Sequence, residues 1–488
     1  MFLLFLKRMR NGVGRRSAIN LSSRIIISAV SLVFLGIVSR KLSEEQLGIF
    51  AVLFVFYGIV SMFGGLGFGT SSIRLIPETK AKGNLSHVSD IIKYTVFVPF
   101  GILLCLMVAG FYFQKDLSDI FLKSPDLAGL IRLILISSVF YATYDRIILI
   151  MQSLQWFSKI AVLNITINIL QRSLAIIFLY FGCGVKGILC GFLIGNILGC
   201  ILGLILLLKY LLMPFSGYSL KQYIRFSLPF YGQGFSRFMF SRADQTFIAI
   251  LFTPDKLAVY FIAKRIVSLI NLVLEPLLEP MIPKLSEIKA RGLSAFRENS
   301  AKIYIIFSFL AFGCACFVIF NSRIALFIVG GAKYAANTLI LNILAVSVFL
   351  SFIFSVSKIG IYLYQHPKET FRISFYVGLI NTSLGIVMGL YLGLAGFALA
   401  QCIGFLWGVF FIRHKYKSDW VIYEPKLDAL YFLSFSAVVI IGGAANRYLL
   451  QANMDIANII RIFALNLGLA VVFLALVFKS RIISDAFK

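Results

Sequence analysis

Ser17-Ala-Ile-Asn-Leu-Ser-Ser-Arg-Ile-Ile-Ile-Ser-Ala-Val-Ser-Leu-Val-Phe-Leu-Gly-Ile-Val-Ser39 carries two messages at once. It is mostly apolar and long enough to cross roughly 30 Å of hydrocarbon at about 1.5 Å per residue. Yet Ser17, Asn20, Arg24, Ser28 and Ser31 fall within about 40° of Arg24 when the chain is wound at about 100° per residue. A helix that is apolar on most sides and polar along one stripe belongs in a bilayer, facing a wet interior or a polar neighbour.

Runs of this length recur along all 488 residues. About fourteen spans are expected, over 17–39, 47–69, 91–113, 128–150, 160–181, 186–208, 226–252, 257–281, 302–321, 335–363, 371–391, 393–412, 428–446 and 457–478. The composition agrees, with 60% hydrophobic and 14% charged residues and a mean hydropathy of +0.94. Such a chain is an all-α polytopic membrane protein. Met1 to Arg10 has its apolar run before its basic residues, the reverse of a secretory signal, so the first span is expected to stay uncleaved.

The net charge of +26 has a positional explanation. With a cytoplasmic N-terminus, about 27 of the 46 Lys and Arg fall inside, about 9 outside and about 10 within spans. Both termini are then cytoplasmic, Ser86 and Ala290 lie inside, and Ser118 and Lys333 lie outside. The basicity is topological, and no nucleic-acid partner is expected, because no basic segment lies in a soluble domain.

The two halves echo each other. Leu42-Ser-Glu-Glu-Gln-Leu-Gly-Ile-Phe50 realigns with Phe252-Thr-Pro-Asp-Lys-Leu-Ala-Val-Tyr260 at an offset of about 210 residues. Ile76-Pro77 and Val185-Lys-Gly-Ile-Leu189 find counterparts in Ile282-Pro283 and Leu394-Ala-Gly-Phe-Ala398 at nearly the same offset. A repeat of six spans keeps its orientation, so two parallel six-helix lobes are expected over 1–213 and 214–415, with two additional helices in 416–488. The segment from Lys209 to Arg225 reads as the linker.

Ionisable residues within spans cost about 2.5–3.5 kcal/mol each at a helix centre, so they must face a wet interior or a partner. Asn164, Asn168, Gln171 and Arg172 form a stripe on the fifth span; Gln233, Arg237, Ser241 and Asp244 form one on the seventh. Lys264, Ser268, Asn271, Glu275 and Glu279 line the eighth, with Arg265 at the edge, and Ser347, Ser351, Ser355 and Lys358 line the tenth. Arg24, Arg172, Arg237, Lys264, Arg265 and Lys358 are the candidate substrate-binding residues, since fixed cations in a cavity of low dielectric suit a phosphate or diphosphate. Asp244, Glu275 and Glu279 are candidates for coupling or gating. Hydrogen bonding between helices is the plain alternative for each stripe. Arg242 reads as a packing residue or a partner of Asp244.

Other chemistry has little support. Gly64-Gly-Leu-Gly-Phe-Gly69 lacks the following Lys-Ser/Thr of a nucleotide loop and reads as close packing or a flexible helix end. The three histidines fall in expected cytoplasmic loops, and the seven cysteines lack metal-ligand spacing and read as packing residues. No cofactor or metal is expected, nor an enzyme. External loops are short, unlike those expected of a glycan polymerase or ligase.

Arg40-Lys-Leu-Ser-Glu-Glu-Gln-Leu-Gly-Ile-Phe50 and Gly65-Leu-Gly-Phe-Gly-Thr-Ser-Ser-Ile-Arg74 resemble the opening of polysaccharide transporters in the multidrug/oligosaccharidyl-lipid/polysaccharide exporter superfamily. The resemblance continues through Ser227-Leu-Pro229, Asp244, Val259-Tyr-Phe-Ile-Ala263 and Pro283, over nearly the whole chain. It is nearest to flippases of the Wzx type, which implies an undecaprenyl-diphosphate-linked O-antigen or capsule repeat unit as cargo. It also implies the bacterial inner membrane as location, membrane lipids as surroundings, and a polymerase and chain-length regulator as partners. Lipid II flippases carry basic residues on comparable helices, where this chain has Arg24, Lys264 and Arg265. A cation-coupled multidrug exporter and an integral glycosyltransferase are the remaining alternatives.

Overall fold

The computed structural model describes residues 12–278, 281–364 and 367–416. Regular structure there is helical, with no strand among the described residues. The first six spans are α1 (Gly12–Lys41), α2 (Glu44–Gly65) continued by α3 (Phe68–Ala81), α4 (Leu85–Tyr112), α6 (Ala128–Ser153), α7 (Phe157–Tyr180) and α8 (Gly184–Leu211). A short helix, α5 (Gln114–Leu122), joins α4 to α6. Then come α9 (Leu220–Ser241), α10 (Ala243–Leu251), α11 (Pro254–Leu278) and α12 (Met281–Lys289). The described chain ends with α13 (Leu293–Phe320), α14 (Ser322–Gly330), α15 (Thr338–Tyr364), α16 (Pro367–Leu392) and α17 (Leu394–Lys415).

Eleven of these helices are long and apolar enough to cross a membrane, and they fall on spans one to six and eight to twelve. The seventh expected span is not one rod. It divides at Arg242, whose backbone (φ −134°, ψ −23°) ends α9 and begins α10. Asp244 then sits in the first turn of α10, where a carboxylate suits the positive end of the helix. The last two expected spans, 428–446 and 457–478, lie outside the described residues.

Local chemistry sets the helix ends. Ser43 caps α2 by accepting from the Gln46 N–H (3.1 Å), while the Gln46 side chain accepts from the Ser43 N–H (3.2 Å). Leu66 and Gly67, both at positive φ (43° and 73°), stop α2 and start α3. The Gly64–Gly69 run is thus a helix break and a packing surface: methyl groups added at Gly64 and Gly69 would run into Leu103 and Leu149. Tyr112, Phe113, Tyr180, Phe181 and Tyr391 are exposed at the ends of the third, fifth and eleventh spans.

The element order repeats. α5 and α14 each follow the third span of their half, and a short 3₁₀ turn follows each, Pro125–Leu127 and Ala332–Tyr334. The polar core repeats as well. Tyr57 on α2, Ser137 on α6 and Asn196 on α8 share hydrogen bonds: the two hydroxyls are 2.7 Å apart, and the Asn196 amide donates to both, at 2.8 Å and 3.1 Å. In the second half Gln401 on α17 donates to the Tyr260 hydroxyl on α11 (3.2 Å) and accepts from Ser347 on α15 (3.4 Å). Cys200 bonds the Phe140 carbonyl just as Cys402 bonds that of Ile343. Gln171 lies over Gly195, and Asn381 over Gly404. Each pairing matches its partner at an offset near the one in the sequence.

By contacts the chain divides into two compact units, Met1–Ala258 and Val259–Lys488. This division groups α9 and α10 with the first six spans, whereas the repeat groups them with the second six.

Candidate functional site

In the first unit, the stripes of α1 and α7 meet. Arg172 is 8% exposed; its guanidinium donates to the Asn168 carbonyl (3.0 Å), one turn back, and to the Ser31 hydroxyl on α1 (2.6 Å). Two other members of the fifth-span stripe turn to protein. Asn164 accepts from the Tyr144 hydroxyl (2.7 Å), and Gln171 donates to Asn196 (2.6 Å). Arg24 is exposed on α1, two turns from Ser31 or about 10 Å along the helix axis.

Arg237 lies on α9, but its side chain and that of Gln233 lie outside the described residues. Asp244 accepts from the Gln245 N–H (2.8 Å). Arg242 packs, as its sequence reading allows: a methyl group at Gly58 of α2 would lie 3.0 Å from its Cγ.

In the second unit, Lys264 and Arg265 are half-buried on α11, and the Lys264 ammonium is 6.0 Å from the Tyr260 ring centroid. That ring belongs to the repeated polar core, so the core and the basic pair share a helix. Lys358 points toward α16, with the Ser374 hydroxyl at 3.2 Å and the Phe354 ring at 4.6 Å. Glu275 is exposed ahead of Pro276, which lies inside α11; Glu279 lies outside the described residues.

Among the described residues two buried cations escape the sequence reading, Lys93 on α4 (5% exposed) and Arg146. Arg146 on α6 is 4% exposed, donates to the Ala142 carbonyl (2.9 Å), and lies against the end of α2, where a methyl group at Gly64 would be 3.4 Å from its Nη2. A cation at that place favours the negative end of α2, the end that breaks at Leu66. Arg146 follows Asp145 in the sequence, on a span where no polar stripe is read.

The arrangement supplies cations and amides to spans and a broken seventh span, and it resembles known transporters. Over 95% of this chain and 98% of the other, the fold matches that of a structure described as the lipid II flippase MurJ in an inward closed conformation, with a TM-score of 0.71 and 18% identity. An outward-facing multidrug resistance MATE family transporter of the MOP superfamily matches with a TM-score of 0.56 and 17% identity, over 84% of this chain and 98% of that one. A MOP superfamily transporter from Pyrococcus furiosus, whose description mentions a reversed polarity of the binding pocket, matches with a TM-score of 0.55 and 16% identity over 82% and 96%. At these identities the likeness establishes the fold. No curated protein sequence matches the chain. The family described as "Polysaccharide biosynthesis protein" matches residues 37–339, more than half of the sequence, and the chain belongs to that family.

Proposed function

We propose that this protein is a flippase that moves an undecaprenyl-diphosphate-linked oligosaccharide repeat unit from the cytoplasmic to the periplasmic leaflet of a bacterial inner membrane, for O-antigen, capsule or another surface polysaccharide. The observation that carries the reading is the joint occurrence of a polysaccharide-biosynthesis family match and a flippase-like fold in a chain with cations inside its spans. In this reading Arg24, Arg172, Arg237, Lys264, Arg265 and Lys358 draw in the diphosphate, and Asp244, Glu275 and Glu279 couple or gate the movement. The lobes are 1–213 and 214–415. A polymerase and a chain-length regulator receive the product.

Deleting the gene tests the reading. Lipid-linked repeat units should accumulate on the cytoplasmic leaflet while surface polysaccharide disappears; unchanged surface polysaccharide in an otherwise normal strain would refute it. The driving force is testable separately. A diphosphate carries about two negative charges, and an inside-negative potential favours outward movement of each by about 2.3 kcal/mol per 100 mV. Flipping in proteoliposomes should therefore accelerate when that potential is imposed, and indifference to both potential and pH gradient would exclude such coupling.

Topology is the third test. Ser118, expected outside, is buried within α5 and donates to the Ser124 carbonyl (2.6 Å), so the exposed Lys115 serves as the reporter instead. Single cysteines at Ser86 and Ala290 should react only from the cytoplasm, and at Lys115 and Lys333 only from the periplasm. Periplasmic labelling at Ser86 would overturn the scheme.

A further inference from the structure

The linker that leads into α9 is strapped down. Asp90 on α4 has no exposed surface, and its carboxylate accepts from the Ser216 N–H (3.0 Å), the Ser216 hydroxyl (2.7 Å) and the Tyr218 N–H (3.1 Å). Along the same stretch of α4, the Ser89 hydroxyl donates to the Tyr210 carbonyl (2.5 Å), the Lys93 ammonium to that of Met213, and the Tyr94 hydroxyl to that of Tyr218 (2.8 Å). Lys93 also lies 4.2 Å over the Phe215 ring. Opening this strap would strand a buried carboxylate and a buried ammonium, the costliest groups to leave unpaired.

A contact of a different kind follows within two turns. Tyr223 on α9 is fully buried; its hydroxyl donates to the Phe68 carbonyl (3.0 Å) and lies 2.8 Å from the Thr95 hydroxyl and 3.3 Å from that of Ser71. The Ser71 and Ser227 hydroxyls are 2.7 Å apart. Gly67 lies so close to α9 that a methyl group there would overlap the Ser227 carbonyl. Every side-chain donor in this cluster is a neutral hydroxyl. Such groups exchange a protein partner for water at little net cost, provided that water arrives when the helices part.

We propose that Tyr223, Ser71, Thr95 and Ser227 form a releasable latch between α9 and the helices α3 and α4, opening and closing in each transport cycle, while the Asp90 strap is the fixed post about which the linker end of α9 swings. The latch rests on the transporter reading given above. Its residues are polar without lining a stripe that carries cations, and they converge from three helices on one buried phenol. The neighbouring strap holds the chain on α4 on both sides of Pro214, so α9 is retained when the latch opens.

The test uses the full chain in proteoliposomes, with its seven cysteines replaced and single cysteines placed at Ser71, Thr95 or Ser89, all fully buried here. A membrane-impermeant maleimide applied from the linker side should react with Ser71→Cys and Thr95→Cys at least about tenfold faster than with Ser89→Cys, a ratio equivalent to 1.4 kcal/mol in opening free energy. Equal rates at latch and strap, whether both slow or both fast, would overturn the proposal. No cargo is present in this assay, so it stands even if the cargo is something other than a lipid diphosphate. The pair Ser71→Cys/Ser227→Cys, once oxidised, should stop movement of a short-chain polyprenyl-diphosphate glycan and regain it on reduction. Full transport by the oxidised pair would overturn the latch; failure of the reduced pair and the unmodified protein alike would count against the cargo reading, leaving the labelling result to decide the latch.

Discussion

Asn196→Leu is expected to destabilise the protein by about 2–4 kcal/mol, and Gln401→Leu by less. The substitutions are counterparts in the repeat, and the difference comes from what each amide holds. Asn196 accepts from Gln171 and donates to Tyr57 and Ser137, all at 3.1 Å or less, so it ties α2, α6, α7 and α8 together. Hydrogen bonds between membrane helices average about 0.6 kcal/mol and reach about 1.7 kcal/mol, and three good ones give the larger figure. The Gln401 contacts with Tyr260 and Ser347 are longer, at 3.2 Å and 3.4 Å. Leucine also leaves Tyr57 and Ser137 buried with one partner fewer, which adds to the cost on the first side. Thermal unfolding of purified variants in one detergent, followed by helical circular dichroism, measures the contrast. Equal shifts would mean that the repeated triads are equivalent in strength despite their distances.

The triads also show where the sequence stopped being legible. Spans are read from apolar length, because a bilayer leaves no other place for such runs, and eleven helices follow the expectation closely. The repeat was visible at loops and span ends, where turn residues constrain the chain. It was hidden in the interior, since Tyr57 and Tyr260 count as apolar letters within apolar runs. Helical spacing placed Asn164, Gln171 and Arg172 on one face of α7, but spacing cannot say whether that face meets water, cargo or another helix. Asn164 and Gln171 meet Tyr144 and Asn196. The break at Arg242 left no proline or glycine beside it to announce it, and it depends on how α9 and α10 each dock on α2. Asp90 and Tyr223 sit outside any stripe, at a helix end and in a segment that reads as loop, and only the folded chain brings the linker back to them.

The largest functional effects are expected at Arg24 and Arg237, with Arg172 as the contrast. Their spans, the first and the seventh, are counterparts in the expected repeat, with Arg24 the eighth residue of the expected span 17–39 and Arg237 the twelfth of 226–252. If the pair holds the cargo diphosphate, each Ala variant loses a charge-assisted contact of about 1.5–3 kcal/mol, which is roughly ten- to a hundredfold in flipping. Lys should restore part of it, keeping the charge but losing the planar fork. Arg172 is already engaged with Ser31 and Asn168, so its role divides into a tie between α1 and α7 and a charge offered to cargo. Arg172→Gln separates them: glutamine still offers an amide to Ser31 but no charge. A tie predicts near-normal transport with glutamine and a loss of stability with alanine; a cargo contact predicts the same transport loss with both. The competing account of Arg237 is neutralisation of Asp244, and it predicts that Arg237→Ala/Asp244→Asn transports better than Arg237→Ala alone. Complementation of a flippase-deficient strain, with inserted protein quantified for every variant, distinguishes these accounts. Near-normal surface polysaccharide from both Arg24→Ala and Arg237→Ala would sink the shared diphosphate site, because neutral side chains cannot replace two guanidinium groups within a single anion-binding pair.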